Sequence, residues 1–232
     1  MEEPGKSPGK MKVLVGCPTS NHKFYCLNKY VNAVKNLSYK DYDILLVDNS
    51  KTEHYYNTIK KYLNVKKDKY FESARERIVH SRNILRNYVL DKKYDYFLSL
   101  EQDVIPPQNV IERLINYKKD IVSGVYFVYN DENVLVPLIY KKVKKDEVRN
   151  LTFEEIKEPN LITVDACGLG CVLISRKVLE KISFRYDPSK EAFDDMWFSL
   201  DAVKNGFKIY CDTSVKCKHL IKGRWSWADI KK

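Results

Sequence analysis

The sequence predicts an α/β protein with a mostly parallel central sheet covered by helices on both faces. Three observations predict it. Short apolar runs alternate with segments of helical period over residues 12–128. The apolar runs read as strands buried on both faces, which is how parallel sheets read. The three clearest runs end in polar clusters, Pro18-Thr19-Ser20, Asp48-Asn49-Ser50 and Glu101-Gln102-Asp103. In such sheets ligands bind at the carboxyl ends of the strands, so these clusters are expected to converge on one crevice.

The elements follow in order. Residues 12–16 form the first strand, and residues 24–37 a helix with Tyr30, Val31, Val34 and Leu37 on one face. Residues 43–47 are the second strand, residues 53–63 a helix and residues 69–72 a short third strand. Residues 75–90 form a helix through Ile78, Leu85 and Val89, and residues 94–100 a fourth strand. Residues 107–117 are predicted as helix and residues 120–128 as strand. The second half is less regular. Strand-like pieces at 134–140 and 161–164 flank a charged insertion at 141–159, expected as an exposed hairpin or loop. Residues 193–205 form a helix through Met196, Leu200 and Val203, and residues 207–210 and 215–217 are two further strands.

Composition narrows the function classes. The 232 residues include 41 Lys plus Arg against 31 Asp plus Glu, a net charge of +10. This charge attracts nucleic acid, an anionic membrane surface or a phosphorylated substrate, or simply keeps the protein soluble. The basic clusters are not interleaved with aromatics, so no nucleic-acid module is recognised and no nucleic-acid partner is expected. No apolar run approaches the roughly 20 residues that cross a bilayer. The six cysteines contain no C-x-x-C pair and are expected as buried free thiols. With no secretory signal, the expected location is cytoplasmic, with peripheral membrane contact left open. Residues 1–10 are expected to be a disordered leader ahead of Met11, and residues 11–232 one domain.

Several constellations can carry chemistry. Glu101 and Asp103, two residues apart at a strand end, can bind a hard cation through oxygen, or stand in a solvated loop. Asp194 and Asp195 open a helix, where the dipole favours acids. One acid satisfies the cap, and a second is free to act as a general base. His219 follows an expected strand and is either a satisfied histidine or a nitrogen ligand for a divalent metal. Gly168-Leu169-Gly170 is either a nucleotide-binding loop or a flexible loop beside an acceptor site. Arg82 is either a solvated helix residue or a diphosphate partner.

In this order the pieces resemble a GT-A-fold glycosyltransferase of the broad family 2 type. The resemblance is carried by Cys-Pro-Thr-Ser at 17–20, Leu-Val-Asp-Asn-Ser at 46–50, Ser-Arg-Asn at 81–83, Leu-Glu-Gln-Asp at 100–103, Gly-Leu-Gly-Cys-Val-Leu-Ile-Ser-Arg at 168–176 and Asp-Asp-Met-Trp at 194–197. It implies a Rossmann-like sheet with a smaller antiparallel portion on the acceptor side. It implies a hexosyl transfer, with inversion, from a nucleoside-diphosphate sugar to a glycan, lipid-linked or protein acceptor. Pro18, Thr19, Asp48 and Asn49 are then expected at the base and ribose, and Arg82 and Gln102 beside the nucleotide. Glu101, Asp103 and His219 are expected to hold Mn²⁺ or Mg²⁺, and Asp195 to be the base, with Asp194 its competitor. The sequence departs from the family pattern in two places: the D-x-D element begins with Glu101, and the E-D pair reads Asp194-Asp195.

Two alternatives were open at this level. A sugar-phosphate nucleotidyltransferase would carry a Gly-rich loop after the first strand, whereas residues 17–22 contain no glycine. A non-catalytic nucleotide- or nucleic-acid-binding protein is permitted by the charge alone.

Overall fold

The computed structural model describes residues 11–144 and 147–221. The leader and the Trp225–Trp227 tail lie outside the described residues. In chain order the elements begin with β1 (Val13–Thr19), α1 (Leu27–Lys35), β2 (Tyr42–Asp48), α2 (Glu53–Ile59), β3 (Val65–Lys67), α3 (Ala74–Asp91) and β4 (Tyr96–Leu100). They continue with β5 (Val104–Ile105), α4 (Val110–Asn116), β6 (Ile121–Val125), β7 (Phe127–Tyr129), β8 (Leu135–Pro137), β9 (Ile139–Lys144) and β10 (Glu147–Asn150). The chain then forms β11 (Leu161–Val164), β12 (Ala166–Cys167), β13 (Cys171–Ser175), α5 (Arg176–Lys181), α6 (Asp194–Lys204), β14 (Ile209–Lys216) and β15 (Lys218–His219).

Eight strands make the central sheet in the order β11-β14-β6-β13-β4-β1-β2-β3. The pairs β1–β2, β1–β4, β2–β3 and β6–β14 are parallel, and β13 and β11 run against their neighbours. The expected mostly parallel sheet is therefore present. A smaller antiparallel sheet, β10-β9-β12, stands beside it.

Alternate side chains of a strand point to opposite faces, and the core divides accordingly. Leu14, Leu45, Val47 and Phe97 pack with Leu85 and Val89 of α3, Val178 of α5 and Phe198 of α6. Val13, Val15, Leu46 and Leu98 pack on the other face with Tyr30 of α1, Tyr55 of α2 and Leu114 of α4. Ser73 caps α3 by accepting from Glu76 N.

Four expectations change. The third strand is Val65–Lys67, not residues 69–72, because Lys67 pairs with Asp48 and Asp68 N then donates to the Asp48 carbonyl (2.8 Å), which ends the ladder. The two last strands are one, β14. Asp212, which reads as a break, is buried at the sheet and bonds Ser214 N (2.9 Å), and a register shift after Cys211 absorbs the irregularity. The 141–159 insertion is a hairpin as expected, yet Leu151 and Ile156 are 3% and 2% exposed and belong to the core. Residues 24–26 of the expected first helix belong instead to a 3₁₀ segment, Asn21–Cys26. The six cysteines are buried and free as expected. Among the described residues no helix is long and apolar enough to cross a membrane.

Gly16 lies in the middle of β1, and a Cβ there would stand 2.1 Å from the Leu45 carbonyl oxygen of β2. The obstacle is backbone and cannot rotate away. Gly16→Ala is expected to lower stability by about 2–3 kcal/mol, measured by urea unfolding.

Candidate active site

The carboxyl ends of β1, β2 and β4 converge as the strand pattern requires. Two adjoining hollows of about 190 Å³ each open there. One is lined by Pro18, Thr19, Lys23, Asn49, Arg82 and Glu101, the other by His22, Asn49, Tyr70 and Arg77. A larger hollow of about 530 Å³ lies at the opposite ends of β2 and β3, lined by Lys35, Tyr42, Lys60 and Lys61. It is an open depression lined by Asp43 and lysines, away from the carboxyl ends of the strands, so size alone does not mark the site.

The residues after β4 point three ways. Glu101 turns to Arg82, whose Nη2 donates to Oε1 at 2.8 Å. Gln102 is buried and braces the crevice floor. Its Oε1 accepts from Thr19 Oγ1 and from Tyr55 Oη (3.0 Å), and its Nε2 donates to the Lys23 carbonyl (3.0 Å). Asp103 meets the Lys23 ammonium, His219 Nε2 (3.2 Å) and Tyr25 Oη (3.3 Å) through Oδ2.

His219 reaches Asp103 through strand pairing. β15 runs antiparallel to β5 with His219 opposite Val104, and Leu220 N donates to the Asp103 carbonyl at 2.7 Å. His219 Nδ1 donates to the Phe127 carbonyl (2.7 Å), which leaves Nε2 facing Asp103. Burial resists charge on both partners. The bonds from His219 and Lys23 nevertheless hold the Asp103 carboxyl well below its usual range, and Asp103 in turn raises His219.

Arg82 is 2% exposed. Besides Glu101 it binds Ser99 Oγ (2.8 Å) and forms an ion pair through Nε with Asp194. Asp194 is buried in this pair. Asp195 is half-buried, and its Oδ1 accepts from Met196 N at 2.8 Å. Burial first, then the neighbouring Asp194, push the Asp195 carboxyl up to about 6.

The β2 end is more enclosed than expected. Asp48 is fully buried, with Oδ1 on Ser50 Oγ (2.5 Å) and Oδ2 3.3 Å from Lys67 Nζ. Asn49 Nδ2 donates to Ser81 Oγ (3.2 Å), whose hydroxyl donates to Asp68 (2.7 Å). Asp68 can only accept, so the Asn49 amide nitrogen is fixed as the donor. Gly168 and Gly170 pack on a tyrosine. A Cβ at either would stand 2.1 or 2.5 Å from Tyr126, and Gly170 N donates to Tyr126 Oη (3.0 Å). Close packing, not phosphate binding, accounts for this G-x-G.

The residues fit a divalent cation in part. Asp103 and His219 already adjoin, and Asp103 Oδ1 is buried with no hydrogen-bond partner among the described residues. One carboxylate and one imidazole suit a cation that keeps further positions for water and phosphate oxygen. The expected three-ligand set is not assembled, since among the described residues no three His, Cys, Asp or Glu side chains converge. Arg82 explains this by holding Glu101. The sequence reading missed Lys23, Ser99 and Tyr126. Only Ser99 carried a signal, as a lone hydroxyl inside an apolar strand.

The model of glycosyl transferase family 2 matches residues 16–183. The chain belongs to this family. Its sheet is the GT-A fold of that family, and membership sets aside the nucleotidyltransferase alternative. The structure is similar to A197 from STIV (20% identity, TM-score 0.54, 96% of this chain and 92% of that one). It is also similar to GalNAc-T7 solved with UDP, GalNAc and Mn²⁺ (15%, TM-score 0.68, 93% and 45%). A third similar structure is the mannosyltransferase PcManGT from Pyrobaculum calidifontis with GDP-Man and Mn²⁺ (16%, TM-score 0.61, 96% and 62%). The family 2 chain thus spans less than two thirds of either of these two transferases. None of the curated proteins matches it.

Within this family 2 site the buried ion pairs set stability. Arg82→Met leaves Glu101 and Asp194 without their cation, and a loss of about 3–5 kcal/mol is expected in urea unfolding.

Proposed function

We propose that the chain transfers a hexosyl unit from a nucleoside-diphosphate sugar to an acceptor hydroxyl, with inversion and with Asp195 as the general base. The observation that carries this reading is the division of labour between two adjacent acids. Arg82 neutralises Asp194, while the adjacent Asp195 has no ion pair among the described residues and its carboxyl is pushed up to about 6. A carboxylate of that basicity takes a proton efficiently near neutral pH. An acceptor hydroxyl attacking from the Asp195 side, with the diphosphate leaving from the opposite side, gives inversion.

Pro18, Thr19, Asn49 and Glu101 line the hollows in which base, ribose and diphosphate would lie. Asp48, Arg82 and Gln102 act through others: Asp48 shapes the β2 turn, Arg82 fixes Glu101, and Gln102 fixes Thr19. Asp103 and His219 are the residues that would hold Mn²⁺ or Mg²⁺. When bound, the cation would offset the charge that develops on the departing diphosphate. The acceptor is a glycan, lipid-linked or protein hydroxyl. The similar transferases solved with Mn²⁺ and a UDP or GDP-sugar support this class of donor and metal.

The test is a donor screen with Mn²⁺ that follows nucleoside diphosphate release, with product configuration read by NMR. Inverted product is expected, and retention would overturn the base assignment. Hydrolysis is expected to rise with pH through about 6 as Asp195 ionises. Asp195→Asn is expected to abolish transfer and leave nucleotide affinity within about twofold. Its effect on stability has the opposite sign. The folded carboxyl lies above its ordinary value of 3.8, so the folded state holds the extra proton between that value and about 6 and loses stability as pH rises through that window. At pH 7.5 Asp195→Asn should therefore raise Tm by about 2–4 °C, by calorimetry.

A further inference from the structure

Asp103 is buried, and it has two cationic partners from separate segments. His219 approaches from β15, while Lys23 arrives from the 3₁₀ segment Asn21–Cys26 that follows β1. Both meet the same oxygen, Oδ2, and Oδ1 has no hydrogen-bond partner among the described residues. The Lys23 side chain is 34% exposed and also lines the crevice beside Pro18 and Glu101. One ammonium therefore borders both the acid that would bind a cation and the hollow that would bind a diphosphate.

We infer that Lys23 is a resident counter-cation of the Asp103 site. It holds the carboxylate in the metal-free protein, competes with a divalent cation for it, and turns to the diphosphate in the crevice once displaced. A buried carboxylate without a positive partner is costly, so something must neutralise Asp103 before metal arrives. Lysine suits a transferable role. Its charge is compact, its donors are not fixed in a plane, and its four-carbon stem swings by side-chain rotation alone. Arginine in a bidentate pair would be harder to dislodge.

The consequence is reciprocal coupling. Metal frees Lys23 for the diphosphate, and a diphosphate draws Lys23 away from Asp103 and opens the carboxylate to metal. Linkage requires both effects to be equal in free energy. The inference rests on the reading of Asp103 as a metal ligand, and the experiment separates the two.

Mn²⁺ alone is titrated into the full chain without nucleotide, and free Mn²⁺ is read by electron paramagnetic resonance. Lys23→Met is expected to bind Mn²⁺ about tenfold more tightly than the unaltered chain. Lys23→Gln, which keeps a polar side chain without the charge, should do the same, and Lys23→Arg should not. Unchanged or weaker affinity in a folded Lys23→Met or Lys23→Gln overturns the counter-cation role. Asp103→Asn is expected to lose Mn²⁺ binding. If Asp103→Asn binds as the unaltered chain does, the reading of Asp103 as a ligand fails instead. Absence of Mn²⁺ binding in the unaltered chain and in both neutral Lys23 variants overturns both.

Discussion

The buried guanidinium of Arg82 is the constraint on which the site depends. A charge at 2% exposure persists only when its donors are matched. Ser99 and Glu101 of the β4 segment and Asp194 of α6 supply the match for a residue carried by α3. Three elements far apart in sequence are thereby fixed at one point. The pair also separates the two acids at the start of α6. Asp194 is claimed by the guanidinium, and Asp195 is left with a backbone N–H and a raised carboxyl. On the proposed reading, the acid that would act as base is defined by what its neighbour is doing.

The segment after β4 applies the same logic in a tighter space. Three successive residues leave the strand in three directions: Glu101 to Arg82, Gln102 to Thr19 and Tyr55, Asp103 to Lys23 and His219. The middle residue makes this divergence possible. A buried amide that both donates and accepts ties β1, α2 and the 3₁₀ segment to the strand end, so the acids on either side face different partners. Replacement of an aspartate by Glu101 at the first position has a visible correlate here, since Glu101 is seated on the guanidinium and does not join Asp103.

The parallel half of the sheet and its strand ends were legible in the sequence because each strand is an uninterrupted apolar run closed by polar residues. The convergence of Thr19, Asn49 and Glu101 follows from that pattern alone. What the sequence hides is pairing across distance. β13 enters the sheet antiparallel between β4 and β6, and its apolar run has no feature that distinguishes this from a parallel strand. Residues 69–72 look like a strand because they carry aromatic residues, yet the ladder to β2 ends at Lys67. Asp212 looks like a break because buried acids are rare, and only the fold supplies its bonds. Lys23 is one lysine among many until the 3₁₀ segment sets it against Asp103.

The net charge of +10 takes on a more specific meaning in this light. Around the crevice the acids are matched by cations already in place: Asp48 by Lys67, Asp103 by Lys23, and Glu101 and Asp194 by Arg82. Next to Asp194, Asp195 has no such ion pair among the described residues. Beside these pairs, Lys51 and Arg77 line the second hollow, and an arriving diphosphate can meet them or draw on the paired cations. Of these, Arg82 is locked in a three-way buried network and Lys67 is tied to Asp48 and the Ser50 carbonyl. Lys23 is held on one side and open to the crevice on the other. Among the paired cations, the charge that can be moved is therefore the lysine at Asp103, and the lysines elsewhere add to the positive field around the site.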